Sequence, residues 1–179
     1  LISMLQGREA KLITNGVRFP KELSETNFPF RNVRVSLNAG TRQTYQSIMG
    51  SDKFDEVLKN IERYLQTSAE TVGIGYVITA DNVSEIPELI SMTFQKFFTK
   101  FPTKIYLHFK QLYPFGNEEY IPTSEQVELT LLELEKMKKQ DCWILYFLDK
   151  KTNYNIIKRS GDGINKRPPL TDRCYVSQI

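Results

Sequence analysis

The sequence is poor in cysteine and histidine, and this scarcity narrows the chemistry that it can support. Its 179 residues include one histidine, His108, and two cysteines, Cys142 and Cys174. Two cysteines cannot build the disulfide framework of a small secreted domain, so we expect a cytoplasmic protein. No apolar run approaches the roughly 20 residues of a membrane-spanning helix, so a membrane protein is not expected either.

A strong excess of charge is also missing. The formal net charge is +3, from 24 Lys and Arg against 21 Asp and Glu, and so small an excess does not predict a nucleic-acid partner. Hydrophobic residues make up 40% and charged residues 25%, which is typical of a globular protein. A chain of this length buries about 70% of its unfolded surface, enough for one sizeable core.

Short apolar runs alternate along the chain with longer segments whose apolar residues recur at the helical period. A strand alternates its side chains with a period of two, whereas a helix repeats every 3.6 residues. The alternation of the two patterns is typical of right-handed parallel βα units. The predicted strands are Lys11–Thr14, Asn32–Leu37, Val72–Ile78, Lys104–Phe109 and Cys142–Leu148, and the predicted helices are Asp52–Leu65, Asn82–Phe101 and Ser124–Lys139.

Two of these helices begin with the pattern of a capping box, in which a polar residue is followed three positions later by Glu or Gln. The pairs are Asn82 with Glu85 and Thr123 with Gln126. In such a box each side chain bonds the backbone N–H of the other residue. We expect both pairs to cap their helices.

The predicted strands place polar groups on one face only. A complete eight-unit barrel needs about 250 residues, so this chain is either part of a barrel or an open sheet. Because period-two alternation sends neighbouring side chains to opposite faces, one face should meet helices and the other a polar lumen. The lumen set is Arg34, Ser36, Asn38, Gly73, Gly75, Tyr106, His108 and Lys110, and the opposing set includes Val35, Leu37, Ile74 and Leu107.

Three segments resemble radical SAM enzymes in their order and spacing. They are Lys11–Gly16 with its terminal Thr-Asn-Gly, Asn32–Thr41 with Val-Ser-Leu-Asn-Ala, and Val72–Asn82. The resemblance implies an α/β fold, a partial parallel (β/α) barrel that lacks the first βα units. It also implies two regions, a partial barrel over residues 1–140 and a C-terminal extension over 141–179. The chain begins at Leu1 and stops at Ile179, and we expect it to be a fragment of a longer protein.

The resemblance implies a chemistry as well. Enzymes of this family reductively cleave S-adenosylmethionine at a 4Fe–4S cluster, which three cysteines of a CxxxCxxC loop bind. Thiolates are the ligands that such a cluster requires, and Cys142 and Cys174 do not form this motif. We therefore expect S-adenosylmethionine and a cluster in the intact protein, neither of them bound to this fragment, which should be inactive. The substrate, a small molecule or a peptide, is not predicted.

Five residues match positions that the family uses to hold the cofactor. Ser36 matches a serine of the fourth barrel strand, and Asn38 stands where relatives often have Asp. Ile78 matches an apolar position beside the adenine, although an isoleucine in a strand is ordinarily core. Thr14 and Asn15 end the third barrel strand, where Asn-Gly is equally typical of a turn. The resemblance thus implies the cofactor-binding set Thr14, Asn15, Ser36, Asn38 and Ile78.

Met49 departs from the family, because many relatives have an arginine there that meets the cofactor carboxylate. A thioether cannot form that pair, so either Arg34 or Lys110 replaces the arginine or the carboxylate is bound differently. Tyr106, His108 and Lys110 are candidates to face the substrate. A lone histidine in a strand is more often structural than catalytic.

Cys174 resembles the first cysteine of a C-terminal auxiliary cluster domain of the SPASM type, although a free thiol explains it equally well. Cys142 lies beside Trp143 in an apolar run and is expected in the core. The missing βα units should expose the strand edge near Ile13, which favours self-association.

Two other functions fit the pattern less well. A non-catalytic binding module on a degenerate barrel would explain Met49 and Asn38. An open α/β protein that binds a nucleotide would need a glycine-rich phosphate loop after an early strand, and the sequence has none.

Overall fold

The computed structural model describes residues 10–26, 30–111, 118–138, 145–147 and 155–157. These residues form one six-stranded sheet with helices between the strands. The strands are β1 (Ala10–Thr14), β2 (Phe30–Ser36), β3 (Thr71–Ile78), β4 (Ile105–Gln111), β5 (Leu145–Phe147) and β6 (Asn155–Ile157). The helices are α1 (Lys21–Thr26), α2 (Arg42–Met49), α3 (Phe54–Gln66), α4 (Ile86–Thr93) and α5 (Ser124–Lys138), with 3₁₀ turns at Val83–Glu85 and Glu118–Tyr120.

The strands lie side by side in chain order. β1 to β5 are parallel neighbours, and β6 pairs antiparallel with β5. The predicted series of parallel βα units is therefore confirmed, whereas β6 was not predicted. An α/β sheet of this order is the partial parallel barrel that the sequence indicates.

The core lies between the sheet and its helices. Val35, Ile74 and Leu107 occupy one row across the three central strands, and each is almost fully buried. α3 packs against this face of the sheet with an apolar stripe that includes Val57 and Ile61, both fully buried. Burying each such side chain contributes about 1.5–3 kcal/mol, so this face anchors the fold.

The helix predicted over Asn82–Phe101 has three consecutive parts. A 3₁₀ turn precedes α4, and a π-helical turn over Phe94–Phe98 follows it. Pro87 lies in the first turn of α4, where its missing N–H costs no helical hydrogen bond. The apolar period predicted a helix correctly, but it could not reveal the changes of helical type.

The two predicted capping boxes have opposite outcomes. At the start of α5, the backbone N–H of Thr123 donates to Oε1 of Gln126 at 2.9 Å, and the N–H of Gln126 donates to Oγ1 of Thr123 at 3.2 Å. That box is confirmed. The pair Asn82 and Glu85 forms no such box, so this prediction is wrong. The side chain of Asn82 bonds backbone groups that precede it, and the carboxylate of Glu85 bonds the loop before α2.

β1 is the first strand of the sheet, and its Ile13 is half-buried in register with Arg34. None of the helices in the described part of the chain is long and apolar enough to cross a membrane. Cys142 and Cys174 lie outside the described residues. The boundary at residue 140 stays a prediction, while β5 beyond it joins the same sheet.

Candidate functional site

One face of the sheet is lined by polar side chains and glycines. Ser36, Gly75 and His108 are register partners across β2, β3 and β4, and Arg34 lies one row earlier, beside Gly73. Because partners in parallel strands project to the same side, these residues share a face, as the alternation predicts. We call this set the lumen face: Asn32, Arg34, Ser36, Thr71, Gly73, Gly75, Tyr106, His108 and Lys110.

Gly73 makes room for Tyr106. A methyl group on Gly73 would lie 2.2 Å from Cζ of Tyr106, so only glycine permits the ring to cover this position. The phenol oxygen accepts from Nδ2 of Asn32 at 2.8 Å and lies 3.1 Å from its Oδ1. Asn32 also donates to Oγ1 of Thr71 at 2.9 Å. Burial raises the pKa of Tyr106, which therefore stays protonated at neutral pH.

Arg34 reaches across Gly75 to His108. A methyl group on Gly75 would lie 3.5 Å from Cγ and Cδ of Arg34, and the guanidinium Nη1 lies 3.2 Å from Nδ1 of His108. Because a guanidinium can only donate, Nδ1 accepts and the proton of a neutral imidazole lies on Nε2. Burial and the positive charges of Arg34 and Lys110 lower the pKa of His108 to about 4. His108 is therefore a neutral donor near pH 7.

The rim of the sheet, where β2 and β3 end, has a different polar cluster. Asn38 adopts a left-handed backbone conformation with φ of 58°. Its Oδ1 accepts from the N–H of Val77 at 2.9 Å, and its Nδ2 lies 3.9 Å from Sδ of Met49. The two residues that depart from the family pattern thus contact each other as a neutral pair.

Asn82 ties the ends of β2 and β3 together. It is fully buried, and its Nδ2 donates to the carbonyl oxygens of Asn38 and Val77, both at 2.9 Å. Its Oδ1 accepts from the N–H of Thr79 at 2.8 Å. Every polar atom of this side chain is used by backbone groups, so its role is structural.

Glu85 completes the rim by holding the loop that precedes α2. Its Oε2 accepts from the N–H of Gly40 at 2.8 Å and of Thr41 at 3.2 Å. Its Oε1 accepts from the hydroxyls of Thr41 at 2.8 Å and of Thr44 at 2.5 Å. A carboxylate at a helix N-terminus is stabilised by the helix dipole. We call Asn38, Asn82, Glu85 and these partners the rim cluster.

The other predicted cofactor residues lie apart from the lumen face. Thr14 is in register with Val35, on the helix-facing side, and its Oγ1 accepts from the N–H of Gly16 at 3.1 Å. Asn15 is exposed, and its Oδ1 accepts from the N–H of Val17 at 3.1 Å. Ile78 is buried, and alternation along β3 places it on the side of Ile74. The structure therefore brings Ser36 together with Tyr106, His108 and Lys110, but not with Thr14 or Ile78.

The described residues contain no group of three Cys, His, Asp or Glu side chains that could hold a metal ion. The two cysteines do not offer the three closely spaced thiolates that an iron–sulfur cluster requires. The residues of this chain therefore do not fit a 4Fe–4S cluster.

The sequence is similar to those of two curated proteins. A probable GTP 3′,8-cyclase of Sulfurisphaera tokodaii is 26% identical over 133 residues, which is 70% of this chain and 40% of the relative. A probable GTP 3′,8-cyclase of Thermoplasma volcanium is 30% identical over 89 residues, which is 48% of this chain and 27% of the relative. Both relatives are radical SAM enzymes.

The chain resembles radical SAM enzymes. Its fold is similar to that of TYW1, solved with a lysine–pyruvate adduct bound, with a TM-score of 0.54 at 15% sequence identity over 85% of this chain and 47% of that one. The resemblance predicted from the sequence is therefore confirmed in both sequence and fold. No family model matches the chain. It spans less than half the length of the curated relatives that it matches.

Proposed function

We propose that this chain supplies the later strands of the barrel of a radical SAM enzyme. In the intact protein, a 4Fe–4S cluster would supply the electron that cleaves S-adenosylmethionine and starts radical chemistry on a substrate, either a small molecule or a peptide. The observation that supports this function is the row of Ser36, Gly75 and His108 across three parallel strands. On one face of the sheet, this row combines the hydroxyl of Ser36, which has no partner among the described residues, the space left by Gly75 and the neutral N–H donor of His108.

Ser36 is the residue to which we assign cofactor binding. It is half-buried at the last position of β2, and its hydroxyl makes no hydrogen bond within the described residues. A serine hydroxyl can donate to a carboxylate or pair with a ribose. Asn15 follows the end of β1, and Asn38 lies two residues after Ser36, so we assign both to the strand ends of the cofactor site. Thr14 and Ile78 face the helices and would contact the cofactor only past the last residues of β1 and β3.

The cysteines that bind the cluster must come from outside this sequence. We therefore expect the chain by itself to be inactive. After anaerobic reconstitution with iron and sulfide, the chain should retain no stoichiometric cluster through desalting. An absorption spectrum of one stable 4Fe–4S cluster per chain would contradict this expectation.

The decisive experiment extends the coding sequence upstream and tests the longer protein. A CxxxCxxC motif and reductant-dependent formation of 5′-deoxyadenosine would support the enzyme. In that protein, Ser36→Ala should weaken S-adenosylmethionine binding by about 0.5–3 kcal/mol, the range for losing one hydrogen bond. Ser91→Ala, on the exposed side of α4, is the matched control and should bind normally. Equal affinities in a calorimetric titration would remove Ser36 from the cofactor site.

The alternative is a non-catalytic binding module on a degenerate barrel. The contact between Asn38 and Met49 favours it, because relatives often have charged residues at both positions and this chain has neither charge. An upstream sequence without CxxxCxxC, together with no 5′-deoxyadenosine, would establish the module instead of the enzyme.

Self-association is part of the proposal. β1 is the first strand of the sheet, and its half-buried Ile13 and exposed Lys11 lie at this edge. Unpaired strand edges are templates for pairing with another chain. Analytical ultracentrifugation should show a concentration-dependent dimer, and Ile13→Lys should shift it to monomer. A chain that is monomeric at all concentrations would contradict this part.

A further inference from the structure

The parallel strands of the site have cationic side chains and no carboxylate. β1, β2, β3 and β4 contain Lys11, Arg31, Arg34 and Lys110, and none of these four strands includes Asp or Glu. Half-buried charges are ordinarily paired with an opposite charge. The four strands therefore offer Arg34 no carboxylate partner of their own.

Arg34 is the strongest case. Within the described residues it forms no salt bridge, and its one side-chain hydrogen bond is to Nδ1 of His108, a neutral group. A guanidinium has five N–H donors in a planar fork that matches a carboxylate or phosphate. Most of these donors are therefore available to a ligand.

The neighbours of Arg34 are suited to the same ligand. His108 has its proton on Nε2, so it donates without adding charge. Lys110 lies two residues after His108 in β4, on the same face of the sheet. The positive charges of Arg34 and Lys110 both lower the pKa of His108. Gly75 removes the side chain that would otherwise stand between β2 and β4.

We propose that the lumen face binds the anionic group of the substrate, a carboxylate or a phosphate, with Arg34 and Lys110 as cations and Nε2 of His108 as a neutral donor. This proposal rests on the proposed function and names the chemical class of its substrate. An anion there would give Arg34 the opposite charge that it does not meet within the described residues.

The cofactor carboxylate is the competing anion. Met49, which stands where relatives have the arginine that meets this carboxylate, ends α2 beside Asn38 at the rim cluster. Arg34 lies within β2 and points the other way, toward β4. We therefore assign the lumen anion site to the substrate rather than to S-adenosylmethionine.

His108 is the sole histidine of the sequence, so its imidazole gives one isolated NMR signal. The chain is titrated at pH 7 with inorganic phosphate, pyrophosphate, acetate and S-adenosylmethionine, with chloride at matched ionic strength as the blank. We expect at least one of phosphate, pyrophosphate and acetate to shift the imidazole signals saturably. We also expect the bound anion to move the titration of His108 toward higher pH, because it offsets the two cations.

Variants distinguish a specific anion-binding site from non-specific attraction of anions to the positive charges of the protein. Arg34→Gln should weaken anion binding by at least about tenfold, the effect of losing a hydrogen bond to a charged group, and Arg34→Lys should recover part of it. Lys59→Gln removes the same charge from the exposed side of α3 and should bind like the parent chain. Urea unfolding of each variant checks that it is folded.

Three results would overturn the proposal. The first is no saturable shift beyond that of chloride, and the second is full affinity in a folded Arg34→Gln chain. The third is an Arg34-dependent shift with S-adenosylmethionine but with none of phosphate, pyrophosphate and acetate. None of these depends on radical chemistry, so failure here is distinct from the absence of 5′-deoxyadenosine in the extended protein.

Discussion

The rim cluster and the lumen face are both polar, but their polar atoms have different partners. In the rim cluster, every side-chain oxygen and nitrogen of Asn82 and Glu85 is hydrogen-bonded to a loop or a strand end of the protein itself. On the lumen face, counted among the described residues, the side chain of Ser36 forms no such bond and that of Arg34 forms one. Buried polar groups that are fully satisfied rigidify a fold, whereas those with spare donors remain available to ligands. The rim cluster is therefore structural, whereas Ser36 and Arg34 of the lumen face keep the spare donors on which the proposed binding site depends.

The largest expected effect tests the rim cluster. Asn82→Ala should destabilise the chain by about 3 kcal/mol, because it leaves the buried N–H of Thr79 and the carbonyls of Asn38 and Val77 without partners. Urea unfolding measures this loss. Asn15→Ala, at an exposed turn with one hydrogen bond, is the control and should cost about 1 kcal/mol or less. Equal losses in the two variants would contradict a structural role for Asn82.

The two lumen glycines give the next effect. Gly73→Ala should cost about 2 kcal/mol, because its methyl group would overlap the ring of Tyr106. A methyl group on Gly75 would make only an ordinary contact, 3.5 Å from Cγ and Cδ of Arg34. Gly75 is not one of the described glycines with a positive φ, which are Gly16 and Gly50, so alanine is not strained there. Its change should therefore stay within about 0.5 kcal/mol. If both variants unfold at the same urea concentration, the ring of Tyr106 does not cover Gly73.

A smaller effect comes from pH. The pKa of His108 is lowered to about 4 from an ordinary value of 6.5, so between these values the unfolded chain binds a proton that the folded chain does not. Stability is therefore complete above pH 6.5 and falls as the pH drops toward 4. From pH 7.5 to 5.5 we expect a loss of about 1 kcal/mol from this group.

His108→Gln isolates that contribution, because the sequence has no other histidine. Unfolding curves of both chains at pH 7.5 and 5.5 should differ in the size of the acid-induced loss, which the variant lacks. A loss of the same size in the variant would mean that His108 is not responsible.

Ser36→Ala should have the smallest effect on stability. Its hydroxyl has no partner in the described residues, so the free energy of unfolding should change by no more than about 0.5 kcal/mol. A change well above 1 kcal/mol by urea unfolding would show that the hydroxyl is structural, and the contrast between rim and lumen would weaken.

Sequence alone predicted most of the fold but only part of the site. Val33, Val35 and Leu37 alternate with polar residues, and that local period fixes which face each side chain takes in β2. The shared face of Ser36 and His108 followed from the same rule. The contact of Arg34 with His108 did not follow, because alternation gives a face and not the direction of a long side chain.

The rim cluster shows the limit of local rules most clearly. Asn82 and Glu85 have the spacing of a capping box, and a local rule therefore predicts that they bond each other's backbone. In the fold, Glu85 instead meets Gly40, where a methyl group would lie 2.7 Å from the carbonyl oxygen of Glu85. The small residue that permits this approach lies far away in the sequence, so nothing near Glu85 could reveal it.

The sequence by itself determined the five parallel strands β1 to β5, their order, the apolar face and the resemblance to radical SAM enzymes, because these depend on short-range periodicity and on ordered motifs. Only the tertiary structure decided which polar groups are satisfied and which are free. Hydrogen bonds between distant residues form where the packed backbone brings donors and acceptors within about 3 Å, and the side-chain period contains no information on that distance.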